Sequence, residues 1–222
     1  MVRITQPTLD FLTALKKNND RDWFAGNRKL FETAKSEYEA FIQDVIGKIT
    51  EFDPILKGLE AKSCIFRINR DTRFSNDKSP YKTNFGAFIV RGGRKNGDRF
   101  AGYYIHIEPG SCMIAGGSYM PPSPWLNAIR EGIDSDPAAF IKIISSKGFR
   151  DAFGTIQGEK LKTAPKGYSS DHPHIELLRH KSYLAVRDLK DKEITSPDFF
   201  LKTIALLRAM KPFNDFLNDC TP

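Results

Sequence analysis

Between Leu30 and Phe52 the chain carries one apolar stripe: Leu30, Phe31, Ala34, Tyr38, Phe41, Ile42, Val45, Ile46, Ile49 and Phe52. Spacings of three and four put these residues on one face of an α-helix. Asp53-Pro54 then stops it. At 1.5 Å per residue such a helix is about 35 Å long, enough to cross a whole domain. A helix of that length with a single wet face needs a second layer to cover the other, and this requirement constrains the fold more than any other feature of the chain.

The next segment supplies that layer. Ser63 to Ile68, Phe85 to Val90, Phe100 to Glu108 and Cys112 to Ala115 read as strands. The run from Gly92 to Asp98 is a glycine-bearing hairpin loop, and Pro109-Gly110 sits where a type II turn requires proline and glycine. Hairpin links of this kind imply an antiparallel meander. In the third strand Tyr103, Ile105 and Ile107 share one face while Tyr104, His106 and Glu108 share the other. The apolar face is expected to meet the helices.

Helical spacing returns at Pro124 to Ile133, Asp136 to Ser145, Pro173 to Leu178 and Pro197 to Met210, with Ser196-Pro197 as a start signal and Lys211-Pro212 as a stop. A short helix capped by Thr8 and ended by Asn18-Asn19 precedes the long one. The expected fold is α+β: a meander of about four strands in residues 63–117, packed by a long N-terminal helix and C-terminal helices, as one domain over residues 1–222.

Several classes are excluded. No window approaches 18 apolar residues, so no membrane span is expected, and the start lacks the apolar core of a secretory signal. Cys64, Cys112 and Cys220 are too few and too scattered for a disulfide scaffold or a clustered zinc site, which suits a reducing cytoplasm. The chain has no G-x-x-x-x-G-K-[ST], G-x-G-x-x-G or G-x-S-x-G motif, and no cofactor is expected. The pair His172 and His174 lacks a third ligand nearby in sequence, so no metal site is expected there.

Charge narrows the search. Residues 1–61 hold nine basic and ten acidic side chains, residues 62–99 ten and three, and residues 100–222 fifteen and fourteen. The whole excess of +7 therefore arises in one short window, where it creates a local potential attractive to anions. Within it lies the irregular connection Asn69 to Asn84, long for a compact domain and therefore a functional candidate. Arg67, Arg70, Arg73, Lys78 and Lys82 recur along it at spacings of three to five, with Tyr81 as a stacking or hydrogen-bonding wall. Arginine forks suit phosphate or carboxylate, and Ser75, Ser79 and Thr83 offer further donors. The competing account is a loop pinned by its own Arg–Asp pairs through Asp71 and Asp77. Phe74, Tyr81 and Pro80 are expected to pack the loop against the sheet.

His106 and Glu108 are the catalytic candidates. Strand alternation sets them on one face about 7 Å apart, able to share a substrate or a water. They are expected on the same side of the sheet as the cationic loop, forming one cleft. Three function classes follow: a domain binding an anionic or phosphate-bearing ligand, an enzyme acting on a small anionic substrate, or a module docking an acidic partner. Nucleic acid enters the first class because Phe74, Tyr81, Phe85, Phe88 and Phe100 interleave with the cations.

The run Phe66-Arg67-Ile68-Asn69-Arg70-Asp71-Thr72-Arg73-Phe74-Ser75-Asn76-Asp77-Lys78-Ser79-Pro80-Tyr81-Lys82-Thr83 resembles the signature of a widespread bacterial family of uncharacterised proteins, also found in some fungi. The resemblance extends to Asn18-Asn19-Asp20-Arg21-Asp22-Trp23-Phe24, to Ala101 through Pro109, to Leu161 through Tyr168 and to Lys211 through Leu217. It implies one full-length domain of unknown function and brings no activity, cofactor or catalytic residue with it.

Overall fold

The computed structural model describes residues 2–73 and 76–221. Phe74 and Ser75, expected to pack and to donate, lie outside the described residues. The helices are α1 Gln6–Lys17, α2 Arg21–Gly26, α3 Arg28–Ile49, α4 Ala61–Cys64, α5 Ser123–Ser135, α6 Pro137–Ser145, α7 Lys147–Phe153, α8 Ile175–Leu178, α9 Asp191–Ile194 and α10 Phe199–Asp219. The strands are β1 Phe85–Ile89, β2 Gly102–Ile107, β3 Cys112–Ser118 and β4 Tyr183–Leu189, in the order β1-β2-β3-β4 with every neighbour antiparallel. The fold is α+β.

The long stripe became α3, which buries Ala34, Tyr38, Phe41, Ile42, Val45, Ile46 and Ile49. It packs against the sheet beside α10. Tyr38 donates its hydroxyl to the Ile105 carbonyl at 2.8 Å, and Phe41 stacks on Phe199 at 5.2 Å. Beneath these helices lie Tyr103, Ile105, Ile107 and Ile114, all buried. Alternation turns the other register rows away: Gly86, His106, Met113 and Asp188 form one, and Phe88, Tyr104, Ala115 and Val186 the next. Several of these side chains stay partly exposed, so one sheet face is packed and the other is largely open.

Some local expectations fail for identifiable reasons. Residues 63–68 do not form a strand. Their first half closes α4, and the rest meets the outer edge of β1 and the returning loop only through the isolated bridges Ile65–Ala87 and Asn69–Tyr81. Beyond the Asn69–Tyr81 bridge the pairing meets Pro80, which accepts from the Arg70 N–H at 2.9 Å and has no N–H to return. The fourth strand comes instead from Tyr183–Leu189, which pairs with β3 over seven residues. Lys211-Pro212 does not end the last helix, because α10 runs through Pro212 to Asp219. Proline inside a helix costs about 3 kcal/mol. The turns beyond it recover that by burying Phe213 and Leu217 and by tying Asn214 to the Gly102 carbonyl and Asn218 to both backbone groups of Ala101. The first helix starts earlier than expected, with Thr5 as its cap; Thr8 gives its hydroxyl to Glu37 of α3 at 2.6 Å. At Pro109-Gly110 the expected turn is present: Gly110 has φ +82° and Ser111 donates to the Glu108 carbonyl at 2.8 Å.

The thiols show how dry this core is. Cys64 and Cys112 are fully buried, and burial pushes both up, Cys112 to about 12. Cys220 is half-buried and raised to about 11 by burial and by Asp219. Because the thiolate is the reactive species, a disulfide reagent at pH 8 should titrate at most Cys220, slowly, in the folded protein and all three thiols in denaturant. Rapid native labelling of Cys64 or Cys112 would contradict this packing.

Candidate functional site

The open face of the sheet forms a groove of about 690 Å³. Its floor is the register row of Phe88, Tyr104, Ala115 and Val186, widened by Met113 and Leu184. Phe66, Tyr119 and Met120 stand at the rim, and all three are exposed apolar side chains. Met120 holds φ +47°, unfavourable for a side chain with a Cβ, and its N–H is fixed to the Ser182 hydroxyl at 2.9 Å. The size and the apolar floor match small-molecule sites.

Polar groups gather toward the β1 and β2 side. Tyr104 and Asn84 both approach His106 Nδ1, at 2.8 and 3.3 Å, and His106 Nε2 lies 3.2 Å from Glu108 Oε2. Thr83 donates its hydroxyl to Glu108 Oε1 at 2.6 Å, and Lys16 sits 3.8 Å from the same oxygen. Burial pushes Glu108 up, but the hydrogen bonds from Thr83 and His106 and the charges of His106 and Lys16 leave it below its usual value. A carboxylate there accepts from Nε2–H. When the ring is neutral, that leaves Nδ1 as the acceptor, with its lone pair facing the Tyr104 hydroxyl at 2.8 Å and the Asn84 amide further off at 3.3 Å. Burial, then the Glu108 charge, pushes Tyr104 up to about 12, so Tyr104 keeps its proton. The resulting chain, Tyr104 to His106 to Glu108, has the connectivity for relaying a proton.

Two cations border the same groove. The Lys82 ammonium lies 5.2 Å from the Phe66 ring centre and the Arg94 guanidinium 5.9 Å from it. Arg94 is held by the carbonyls of Lys62 and Ser63. Burial lowers the Lys82 pKa, and the charges of Arg67, Arg94 and Arg70 lower it further.

The other loop cations go elsewhere. Arg70 pairs with Asp77, Arg73 makes a two-pronged contact with Asp71, and Lys78 donates to the Thr72 carbonyl at 3.0 Å. Tyr81 packs against α2, stacking on Phe24 at 3.9 Å, while Asn19 clasps its backbone N–H and carbonyl. Arg67 and Tyr81 line a separate cavity. The groove therefore unites Lys82 with His106, whereas Arg67 is not in its lining. Asn84, Arg94 and Tyr104 were not singled out from sequence. Tyr104 was within reach, since alternation already set it beside His106.

His172 is engaged locally: Nε2 meets Asp134 at 2.8 Å and Nδ1 accepts from the His174 N–H at 3.1 Å. Among the described residues no group of three or more metal-ligating side chains is clustered, and no helix is long and apolar enough to cross a membrane.

No curated protein and no solved structure matches the chain. The model of the family described as conserved hypothetical protein (DUF2461) matches residues 7–216, and since that span is nearly the whole chain, the protein belongs to this family.

Proposed function

We propose that the groove binds a small organic anion with an apolar or aromatic body. The observation that carries this reading is the convergence of Lys82 and Arg94 on Phe66 at the edge of an apolar floor. Lys82 is half-buried amid three other positive charges, which depress its pKa. A bound carboxylate or phosphate would relieve that repulsion, and the floor of Tyr104, Met113 and Val186 would cover the ligand's apolar part.

A second reading, acid–base catalysis on the same ligand, has one specific observation in its favour. The Tyr104 hydroxyl lines the groove and is bonded to His106, which is bonded in turn to Glu108. In this reading His106 takes the Tyr104 proton as Tyr104 takes one from substrate, and Glu108 stabilises the imidazolium.

The test is thermal denaturation with aryl and alkyl carboxylates and phosphate monoesters at matched ionic strength. A ligand at a hundred times its Kd stabilises by about 2.7 kcal/mol, a rise of roughly 5–10 °C for a chain of this size. The Lys82→Ala/Arg94→Ala variant should lose that rise, and a longer apolar body should strengthen binding. A melting point that follows ionic strength alone would sink the proposal.

A further inference from the structure

A second cavity, of about 380 Å³, opens between α2, α3 and the segment around Asn69. Four cations line it, Arg21, Arg28, Lys35 and Arg67, and no acidic side chain is in its lining. Its inner wall is aromatic: Tyr81 lies flat on Phe24, with planes 15° apart, and Phe24 meets Phe31 at 5.0 Å. We infer that this cavity is a separate binding site for a small, multiply charged phosphoryl anion, of the pyrophosphate or phosphate-ester class.

Three features support the assignment. The first is the gathering of like charge. Arg28 pairs with Glu32 at 3.0 Å, an exposed helix pair that water screens, so its guanidinium can turn to another anion. In the loop after Arg67, Asp77 pairs with Arg70, and Asp71 pairs with Arg73 while also feeling the Arg67 charge. Four cations around one concavity repel each other, and a ligand carrying two or more negative charges is the complement that removes the repulsion.

The second feature is geometric. Arg28 and Lys35 are seven residues apart on α3, two turns along one face, while Arg21 begins α2 and Arg67 arrives from the loop. Charge therefore reaches the cavity from three chain segments held by the core, which preorganises it without a folding cost on binding. The Asn19 clasp on Tyr81 ties the loop side of the cavity to the turn before α2.

The third feature is a polar group in the aromatic wall. Tyr81 is only 9% exposed and lines the cavity, and its hydroxyl is not among the buried atoms left without a partner, so it is open to water or to a ligand. A phosphoryl oxygen would accept from it in place of water.

The experiment is calorimetric titration of the full chain with pyrophosphate at constant ionic strength, with sulfate as the comparison. Pyrophosphate should bind at least tenfold more tightly than sulfate. Arg67→Ala and Lys35→Ala should each weaken it tenfold or more, with the far-ultraviolet spectrum unchanged because both side chains are exposed. Tyr81→Phe should weaken it severalfold while keeping the stack on Phe24. Lys82→Ala, which empties the sheet groove of a charge, should leave pyrophosphate binding intact, so failure here and failure of the groove reading are separable. Absence of binding, or equal loss from Lys82→Ala and Arg67→Ala, overturns the assignment. So does an oligonucleotide that displaces pyrophosphate at far lower concentration with a steep salt dependence, since that would make the cavity part of a nucleic-acid surface.

Discussion

Gly117→Ala should lower the unfolding free energy by about 3–5 kcal/mol, or leave no folded protein at all. Gly117 lies inside β3 with φ +110°, a region closed to side chains. An alanine Cβ there would lie 2.1 Å from the Tyr183 carbonyl oxygen of β4 and 2.9 Å from the Phe213 ring of α10. Neither neighbour can retreat cheaply, since the oxygen is backbone in the adjacent strand and Phe213 is fully buried. Gly110→Ala is the control. It carries φ +82° but has nothing within 4 Å, so it isolates dihedral strain, about 1 kcal/mol. Urea denaturation of the two variants measures the difference. Equal costs would show that the β3–β4 approach is looser than described.

Acid should weaken the protein through His180 before most carboxylates protonate. His180 is 3% exposed, and its Nδ1 has no hydrogen-bond partner among the described residues. Burial, reinforced by the Lys160 charge and opposed by a Ser182 backbone bond and by Glu176, lowers it from 6.5 to about 4. Arg130, buried and bonded to the His180 carbonyl at 3.2 Å, adds another positive charge nearby. The unfolded chain therefore takes up a proton near pH 6.5 that the folded chain refuses until about pH 4. Stability from this residue is complete above pH 6.5 and drains as pH falls, by up to about 2 kcal/mol at pH 5. His180→Phe, which keeps a ring beside Tyr183, should flatten that part of the curve. Identical slopes for both proteins between pH 7 and 5 would refute it.

The candidate groove was half legible in the sequence. Period-two alternation in β2 placed Tyr104, His106 and Glu108 on the face away from Ile105 because side-chain direction in a strand is a local property. The charge window from 62 to 99 likewise marked where cations would concentrate. Which of them would meet His106 was not legible. Arg70 and Arg73 found carboxylates within a few residues, Lys82 and Arg94 came together over Phe66, and Arg67 turned to the other cavity. An arginine's partner depends on which carboxylates the fold brings near, and residue spacing carries little of that information.

The sequence by itself determined the elements with local causes. The apolar stripe specified α3, Pro109-Gly110 specified the β2–β3 turn, and alternation specified which face of β2 is dry. Tertiary structure decided what depends on distant partners. Residues 183–189 became a strand because β3 offered an open edge, although alternation between Tyr183, Ala185 and Leu189 and their neighbours was there to be read. Residues 65–68 remained irregular, joined to β1 and to the returning loop by single bridges at Ile65–Ala87 and Asn69–Tyr81. Helix α10 continued through Pro212 because the groups beyond it bury apolar surface and close hydrogen bonds on β2 and the residue before it, which outweighs the proline's local cost.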